Sequence, residues 1–318
     1  MRATSLSNKL PTNQEQTGAL TGMSSKRGTG QARYLADRGA RIGVLVCASS
    51  SFMILLAILV FIIQQGLPAF LEVGFFNFLF GTQWSPTNGE FGILPMIIGS
   101  LAVTLGSMIL AVPLGIACAI LLAEVAPDSV RRILRPSVEL LVGIPSVIYG
   151  LVGMAIIVPA VRQIGGTGYS IAAACLVLMA MVLPTIISIT EDSLRAVPHK
   201  YREGSLAMGA TQWQTIWHVL IPAARSGIGA GVILGIGRAV GETMAMIMVI
   251  GNAVRIPDSL LDPARTLTGN IAVEINYASG LHQNALFATA IVLLAFIIIL
   301  NTITISLFKR GISGQNNR

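Results

Sequence analysis

Long apolar runs separated by short polar segments form the main pattern along the chain. Runs of about twenty residues that are nearly free of charge are long enough to cross a bilayer as helices. The pattern therefore predicts an all-α protein, a polytopic transmembrane helix bundle with six spans. The predicted spans are residues 42–63, 94–123, 137–161, 170–189, 226–250 and 286–308.

The polar segments differ in character. Residues 1–41 are rich in Ser, Thr, Gly, Asn and Gln, and we expect a disordered tail because such a segment buries little apolar surface. Residues 64–93 are crowded with Phe and carry a Trp, which favours a segment at the external membrane interface. The sequence GIPSVIYG (143–150) predicts a kinked or broken helix. Residues 309–318 form a short polar tail.

Composition and charge support the membrane interpretation. The chain is 53% hydrophobic and 11% charged, with a mean hydropathy of +0.75, whereas soluble domains contain about 25% charged residues. Of the 21 Lys and Arg residues, 17 fall in the tails and loops on one predicted side. Since such residues favour the cytoplasm, both termini are predicted to be cytoplasmic, and the net charge of +7 is a topology signal rather than a sign of nucleic-acid binding.

The sequence shows no constellation of catalytic or metal-ligating residues. Cys47, Cys118 and Cys175 lie in apolar runs and are expected to be core residues rather than disulfide partners. The three histidines are scattered along the chain. We therefore expect a subunit that is not an enzyme, binds no metal and carries no cofactor of its own.

Residues 191–222 are predicted to form two short helices joined at a glycine. Pro198 suits a first helical turn, Gly209 suits the stop, and Thr211 and Gln214 have the spacing of a capping box. Pro222 is expected to end the second helix, which carries two tryptophans. Two interpretations stay open at this point: a hairpin that docks into a groove of a partner, or an amphipathic pair lying on the membrane surface.

Two ionisable residues, Arg238 and Glu242, interrupt the fifth apolar run. They are four residues apart, so on a helix they would share a face. A charge at mid-membrane costs about 2.5–3.5 kcal/mol on insertion scales and is a functional hypothesis by default. The guanidinium suits an oxyanion such as phosphate, sulfate or phosphonate, and the nearby hydroxyl of Thr243 could assist. The alternative is an intrahelical ion pair that merely neutralises the arginine.

A stripe of small residues is predicted on the same helix face. Small residues at four-residue spacing permit the close approach of a neighbouring helix, and they also leave room for a ligand. The glycines of this predicted packing stripe are Gly227, Gly231, Gly235 and Gly241.

The segment EGSLAMG followed nine residues later by VLIP (203–222) resembles the signature loop of ABC-importer permeases. Glu203, Gly209 and Pro222 match that loop, whereas Gly204 and Ser205 replace its two alanines. The resemblance covers about 94–308. It implies a type I ABC importer permease domain whose loop 191–222 couples to an ATPase. Because the chain has no Gly-rich nucleotide-binding loop, the ATP would be used by a separate subunit.

The segment GRAVGETMA (237–245), with IPSVIYG (144–150) and the last apolar run, resembles the C-type permease of the phosphate-specific ABC importer. That resemblance implies phosphate translocation by alternating access in a prokaryotic plasma membrane. It places Arg238 and Glu242 where the family has an Arg and a Glu implicated in phosphate passage. The implied partners are a related permease in a heterodimer, two cytoplasmic ATPase subunits and an extracytoplasmic phosphate-binding protein. The alternatives are a permease for another oxyanion and a membrane scaffold or sensor without transport.

Overall fold

The computed structural model describes residues 28–313. The chain divides into two compact units, residues 1–61 and 62–318. The helices are α1 Gly28–Val73, α2 Phe75–Phe80, α3 Leu94–Ile120, α4 Asp128–Val142, α5 Ser146–Val152, α6 Val158–Ile164, α7 Ile171–Arg195, α8 His199–Ala207, α9 Gln212–Thr215, α10 Ile221–Gly241, α11 Met244–Val249, α12 Leu267–Glu274 and α13 Leu281–Ser313. The strands are β1 Trp84–Ser85 and β2 Glu90–Phe91.

Six helical stretches within residues 28–313 are long and apolar enough to cross a membrane, which confirms the predicted all-α class and the number of spans. They are Arg38–Val73, Leu94–Val125, Ser146–Ile164, Ile171–Arg195, Gln212–Gly241 and Leu281–Ser306. Three of these stretches contain a π turn, at Leu121–Val125, Gly153–Ile157 and Ile216–Leu220.

The first unit is described only over the N-terminal part of α1. Of the predicted disordered tail, residues 1–27 lie outside the described residues. Residues 28–41 are helical instead, and their Ala, Leu and Arg content favours a helix. The apolar side chains between Ile42 and Phe61 are largely exposed, as in a helix surrounded by lipid.

The aromatic segment after the first span packs onto the helix bundle. Residues 64–73 continue α1, and β1 pairs with β2 in an antiparallel hairpin that turns at Gly89, whose φ is +73°. Phe78, Trp84 and Phe91 are buried together with Ile93 of the α3 entrance. The segment is therefore partly core, because its hairpin covers the start of α3.

The centre of the second unit is formed by α3, α7 and α10. Alpha-helix α7 lies along α3 on one side and along α10 on the other, and its apolar side chains form the largest buried cluster. Cys175 belongs to this cluster, whereas Cys118 is half-buried and Cys47 is exposed, so the prediction that all three are core residues is wrong for Cys47. All three are free thiols.

The third predicted span, 137–161, is wrong in its bounds. Residues 128–142 form α4, which contains most of the segment expected to be a loop, and the span is 146–164. The break predicted within GIPSVIYG is confirmed at Gly143–Pro145. Proline supplies no backbone N–H and disfavours the α conformation of the residue before it, so Pro145 separates α4 from α5.

Pro222 does not end the second hairpin helix. The chain stays helical from α9 through the π turn Ile216–Leu220 into α10, with Pro222 near the start of α10. A proline cannot donate the hydrogen bond that an α-helix needs and clashes with the carbonyl four residues earlier. The wider π turn just before it accommodates that defect without ending the helix.

Candidate functional site

The hairpin formed by α8 and α9 has the local structure that its sequence predicts. Pro198 is the residue immediately before α8, and Gly209 ends the helix with a φ of +85°, a conformation that favours glycine. Thr211 Oγ1 accepts from the Gln214 N–H at 3.3 Å, and Gln214 Oε1 accepts from the Thr211 N–H at 2.8 Å. This reciprocal capping box fixes the direction in which the chain enters α9.

The hairpin tip presents an exposed, largely apolar surface. Its large exposed side chains are Tyr201, Leu206 and Met208, of which Met208 is 88% exposed. Trp213 and Trp217 are also exposed, but they line an apolar cleft with Ala117 and Leu121. Glu203 and Gly204 are also exposed, and open space surrounds Gly204. Ser205 lies on the inner side, where its hydroxyl is 3.0 Å from the Thr215 hydroxyl and holds the two helices together.

Arg238 lies in the last turn of α10 and is half-buried. Its Nη1 donates to Thr185 Oγ1 of α7 at 3.3 Å, and the Tyr149 hydroxyl of α5 lies within electrostatic range. Among residues 28–313 no carboxylate lies within 4 Å of the guanidinium nitrogens. The helix C-terminus favours a cation at this position. The guanidinium thus keeps unpaired donors inside a membrane span.

Glu242 does not pair with Arg238, so the expected shared helix face is wrong. The helix ends at Gly241, and Glu242 adopts an extended backbone with φ −70° and ψ 131°. Its carboxylate Oε1 instead accepts from the Ala245 N–H at 3.1 Å and caps α11. Thr243 takes part in the same break, because its hydroxyl donates to the Gly241 carbonyl at 3.2 Å.

A small polar cavity adjoins the break after α10. The Glu242 carbonyl accepts from the Thr268 hydroxyl at 3.0 Å, and Glu242 itself is buried. The hydroxyls of Ser100, Thr104 and Thr266 also line the cavity, whose volume is about 10 Å³. That volume suits roughly one water molecule, which the surrounding hydroxyls and carboxylate could bind.

The glycine stripe of α10 faces α7 rather than an open space for a ligand. A Cβ at Gly227 would overlap Ser193, and one at Gly235 would lie 3.0–3.2 Å from Val182 and Ile186. Gly231 similarly lies against Ile189 and Thr190. Gly241 differs, because no atom lies within 4 Å of its added Cβ.

Residues that the sequence analysis did not single out support these elements. Thr185 is the partner of Arg238, and Thr268 holds the break at Glu242. On the hairpin β1–β2, Trp84 Nε1 donates to Glu274 Oε2 at 2.8 Å, and Glu274 also pairs with Arg265 at 2.6 Å. Trp84 and Glu274 are 190 residues apart, so no local sequence pattern could have revealed their contact.

The amino-acid sequence of the chain is similar to those of membrane components of transport systems. A family model described as "Binding-protein-dependent transport system inner membrane component" matches residues 111–312. A probable ABC transporter permease protein YqgH of Bacillus subtilis is 43% identical over 272 residues, covering 83% of this chain and 88% of the relative. The phosphate transport system permease protein PstC of Pasteurella multocida is 34% identical over 263 residues, covering 76% and 82%.

A solved structure has a similar arrangement of helices. An inward-facing form of the MetNI methionine ABC transporter matches with a TM-score of 0.54 and 22% identity, over 69% of this chain and 97% of that chain. At that identity the likeness shows the fold alone, and the fold is that of a type I ABC transporter permease. Both Arg238 and the hairpin α8–α9 lie within the region that the family model matches.

Proposed function

Since the chain belongs to the family of binding-protein-dependent transport system inner membrane components, we propose that it forms the path by which an ATP-driven importer moves inorganic phosphate across a prokaryotic plasma membrane. It is a membrane-embedded, multi-span permease subunit of an ABC importer. We also propose that the substrate is phosphate, that ATP hydrolysis drives its import, and that the pathway opens alternately to the two sides of the membrane.

The observation that carries the proposal is the unpaired guanidinium of Arg238 within a membrane span. An arginine stays charged when water is removed, and its fork of donors matches the oxygens of phosphate. In this chain the Arg238 guanidinium donates one hydrogen bond to Thr185. Among the described residues no carboxylate lies within ion-pairing distance of it. An anion entering beside α10 would supply the missing negative charge.

Phosphate is favoured over other oxyanions by the relatives. The Pasteurella multocida relative is named as a phosphate transport permease, and it shares 34% identity over 263 residues. The charge of Arg238 alone would serve sulfate or phosphonate equally well. Competition of labelled phosphate uptake by an excess of each anion separates these substrates.

Glu242 and Thr243 enter the proposed pathway as the break that follows Arg238. The Glu242 carboxylate caps α11, and the Thr243 hydroxyl donates a hydrogen bond to the Gly241 carbonyl. The two residues therefore set where α10 stops. A helix that stops within the membrane leaves polar backbone groups that are tolerated where they line a cavity. We assign them the task of holding the Arg238 turn at the pathway rather than of neutralising its charge.

The hairpin α8–α9 is the proposed docking element for the ATPase. Its exposed surface, with Glu203, Gly204 and Gly209, would lie in a groove of the ATPase; Ser205 would hold α8 against α9, and Pro222 lies where the hairpin continues into α10. Transport by this family requires further ABC components. We propose a second, related permease, two ATPase subunits that use the ATP and an extracytoplasmic phosphate-binding protein, with no cofactor on this chain.

Substitution of Arg238 tests the proposed function directly. Arg238→Ala is expected to lower phosphate uptake by at least about tenfold, since hydrogen bonds to a charged group contribute about 1.5–3 kcal/mol. Arg238→Lys keeps the charge but not the fork, and should retain part of the uptake. Uptake is measured with labelled phosphate in cells that contain equal amounts of each variant.

Arg162→Ala is the matched control, because it removes an exposed arginine from the end of another span. It should leave uptake unchanged. Normal uptake by Arg238→Ala would contradict the assigned role, and a transporter that moves another oxyanion but no phosphate would contradict the substrate.

A further inference from the structure

Arginine side chains converge on the C-terminal end of α3, the π turn Leu121–Val125, which we call the α3 terminus. Arg131 of α4 donates from Nε to the Leu122 carbonyl at 2.8 Å and from Nη2 to the Ala123 carbonyl at 3.3 Å. Arg195 of α7 donates to the Leu122 carbonyl at 3.5 Å. Carbonyls at a helix end have no partner within the helix and favour cations, so these contacts tie α4 and α7 to α3.

The hairpin α8–α9 is tied to the same place through one acidic residue. Arg202 of α8 pairs with the carboxylate of Glu124, and Gln212 of α9 donates from Nε2 to the Glu124 carbonyl at 3.3 Å. The Glu124 side chain is only 3% exposed, so its attraction to Arg202 is weakly screened by solvent. Both helices of the hairpin thus hold Glu124.

The ion pair has room to rearrange. The Nε atom of Arg202 is buried and has no hydrogen-bond partner among the described residues. A cleft of about 230 Å³ adjoins it, lined by Glu124, Leu206, Gln212 and Thr215 among others. The guanidinium therefore has an unused donor and space to turn while its charge stays near Glu124.

The opposite end of α3 reaches the break beside Arg238. Ser100 Oγ accepts from the Leu267 N–H at 2.9 Å, and Ser100 lines the small cavity that also contains the Glu242 carboxylate. Ser100 and Glu124 are 24 residues apart in the helical stretch Leu94–Val125, which corresponds to about 36 Å at 1.5 Å per residue. One rod-like element thus joins the hairpin to the break after α10.

We propose that Glu124 is the positioning residue through which movement of the hairpin displaces α3 and thereby changes the access of the pathway at Arg238. The inference rests on the proposed function, in which an ATPase moves the hairpin. When the hairpin moves, Arg202 and Gln212 carry the α3 terminus with them. The displacement of α3 then alters the packing of Ser100 against the segment that holds Glu242.

The test compares coupling with ATP hydrolysis in the complete importer. The permease pair, the ATPase and the phosphate-loaded binding protein are assembled in vesicles, and phosphate uptake and ATP hydrolysis are measured together. Glu124→Gln preserves the size of the side chain but removes its charge. The phosphate moved per ATP should fall by about tenfold, because the hairpin loses a hydrogen bond between charged groups at the α3 terminus. Arg202→Gln should have the same effect, and the double variant should be no worse than either single variant.

Asp128→Asn is the control, because it breaks an exposed ion pair with Arg131 near the same helix end. It should leave the phosphate moved per ATP unchanged. A wild-type ratio in Glu124→Gln overturns the inference. If Glu124→Gln does not assemble, Arg202→Lys and Arg202→Gln decide: coupling kept by lysine and lost with glutamine supports the inference, and equal ratios overturn it. A wild-type importer that moves no phosphate contradicts the proposed function instead.

Discussion

Arg238 and Glu242 lie four positions apart but have separate structural roles. Arg238 points from the last turn of α10 to Thr185 of α7, whereas Glu242 turns away and caps α11. Their separation depends on a single change of backbone conformation at Glu242, where the helix stops. A charge in the membrane was predictable from the apolar run around it, but the identity of its partner was not.

Loss of the Glu242 cap should lower stability. Glu242→Ala removes the acceptor for the Ala245 N–H and is expected to cost about 1 kcal/mol, as other helix caps do. Glu242→Gln keeps an oxygen at that position and should cost less. Thermal unfolding of the purified permease in detergent measures both variants. Equal melting temperatures for Glu242→Ala and wild type would show that the cap is unimportant, and the exposed Glu90→Gln is the control.

Structural features that depend on neighbouring residues in the sequence were predicted correctly. Thr211 and Gln214 have the three-residue spacing of a capping box, and the structure contains that box. Pro145 follows a glycine and a branched residue, and the helix breaks there. The break at Glu242 lacked such a signal, since glycine at 241 is tolerated within a membrane helix and no proline is present. Besides the local hydrogen bonds of Glu242 and Thr243, a tertiary contact supports the break: the Thr268 hydroxyl donates to the Glu242 carbonyl from another element.

At the scale of elements, α10 contains glycines that pack against α7 and glycines that lie next to open space. Gly227 and Gly235 lie directly against α7, while open space surrounds Gly237 and Gly241. The predicted stripe was therefore right about close packing for the part that faces α7. Among the four glycines of the stripe, open space is present at Gly241, at the end of the helix.

Alanine substitution distinguishes the packed glycines from those next to open space. Gly227→Ala should destabilise the permease, because the new Cβ would overlap the Cβ and Oγ of Ser193 and require α10 to move away from α7. Gly237→Ala is the matched control on the same helix. With open space around it, alanine should be neutral or stabilising by up to about 1 kcal/mol, since it favours the helix over glycine. The two melting temperatures in detergent give the comparison, and equal values would contradict the packing.

The π turns could not be foreseen from sequence. The turn Ile216–Leu220 contains ordinary helix-compatible residues, and its wide geometry depends on how hydrogen bonds are shared across the turn. Pro222 lies just after the π turn, but a proline at that position predicts a helix end rather than a π turn. Likewise the sequence pattern assigns the first part of α4 to a loop and its last part to the span beginning at 137. The three arginines of α4 are typical of a polar loop, whereas its last apolar residues are continuous with the next apolar run.

At the scale of the whole molecule, the proposal requires the hairpin α8–α9 and the hairpin β1–β2 to face opposite compartments. The charge distribution predicts that Met208 at the first tip is cytoplasmic and that Asn88 at the second is external. Both positions are exposed and lie in turns. The similarity to ABC permeases supports the membrane fold but leaves the orientation as a prediction.

Labelling of single cysteines tests this orientation. In a background with Cys47, Cys118 and Cys175 replaced, Asn88→Cys should react with a membrane-impermeant maleimide in intact cells. Met208→Cys should react only after the cells are permeabilised. In the assembled importer, Met208→Cys should be protected by the ATPase, because it lies at the proposed docking tip. Labelling of Met208→Cys in intact cells would contradict both the orientation and the docking assignment.

The unbroken helix from α9 through the π turn into α10 also fixes the rotational phase of the hairpin relative to Arg238. Inserting one residue into the regular helix between Ile221 and Arg238 would turn the hairpin by about 100° about the helix axis and move it about 1.5 Å farther from Arg238. Glu203 and Met208 would then point in new directions, although every side chain proposed to dock the ATPase would still be present. The number of residues between the hairpin and Arg238 thus sets the direction in which the hairpin points, and insertions or deletions within α10 should be tolerated far less than substitutions.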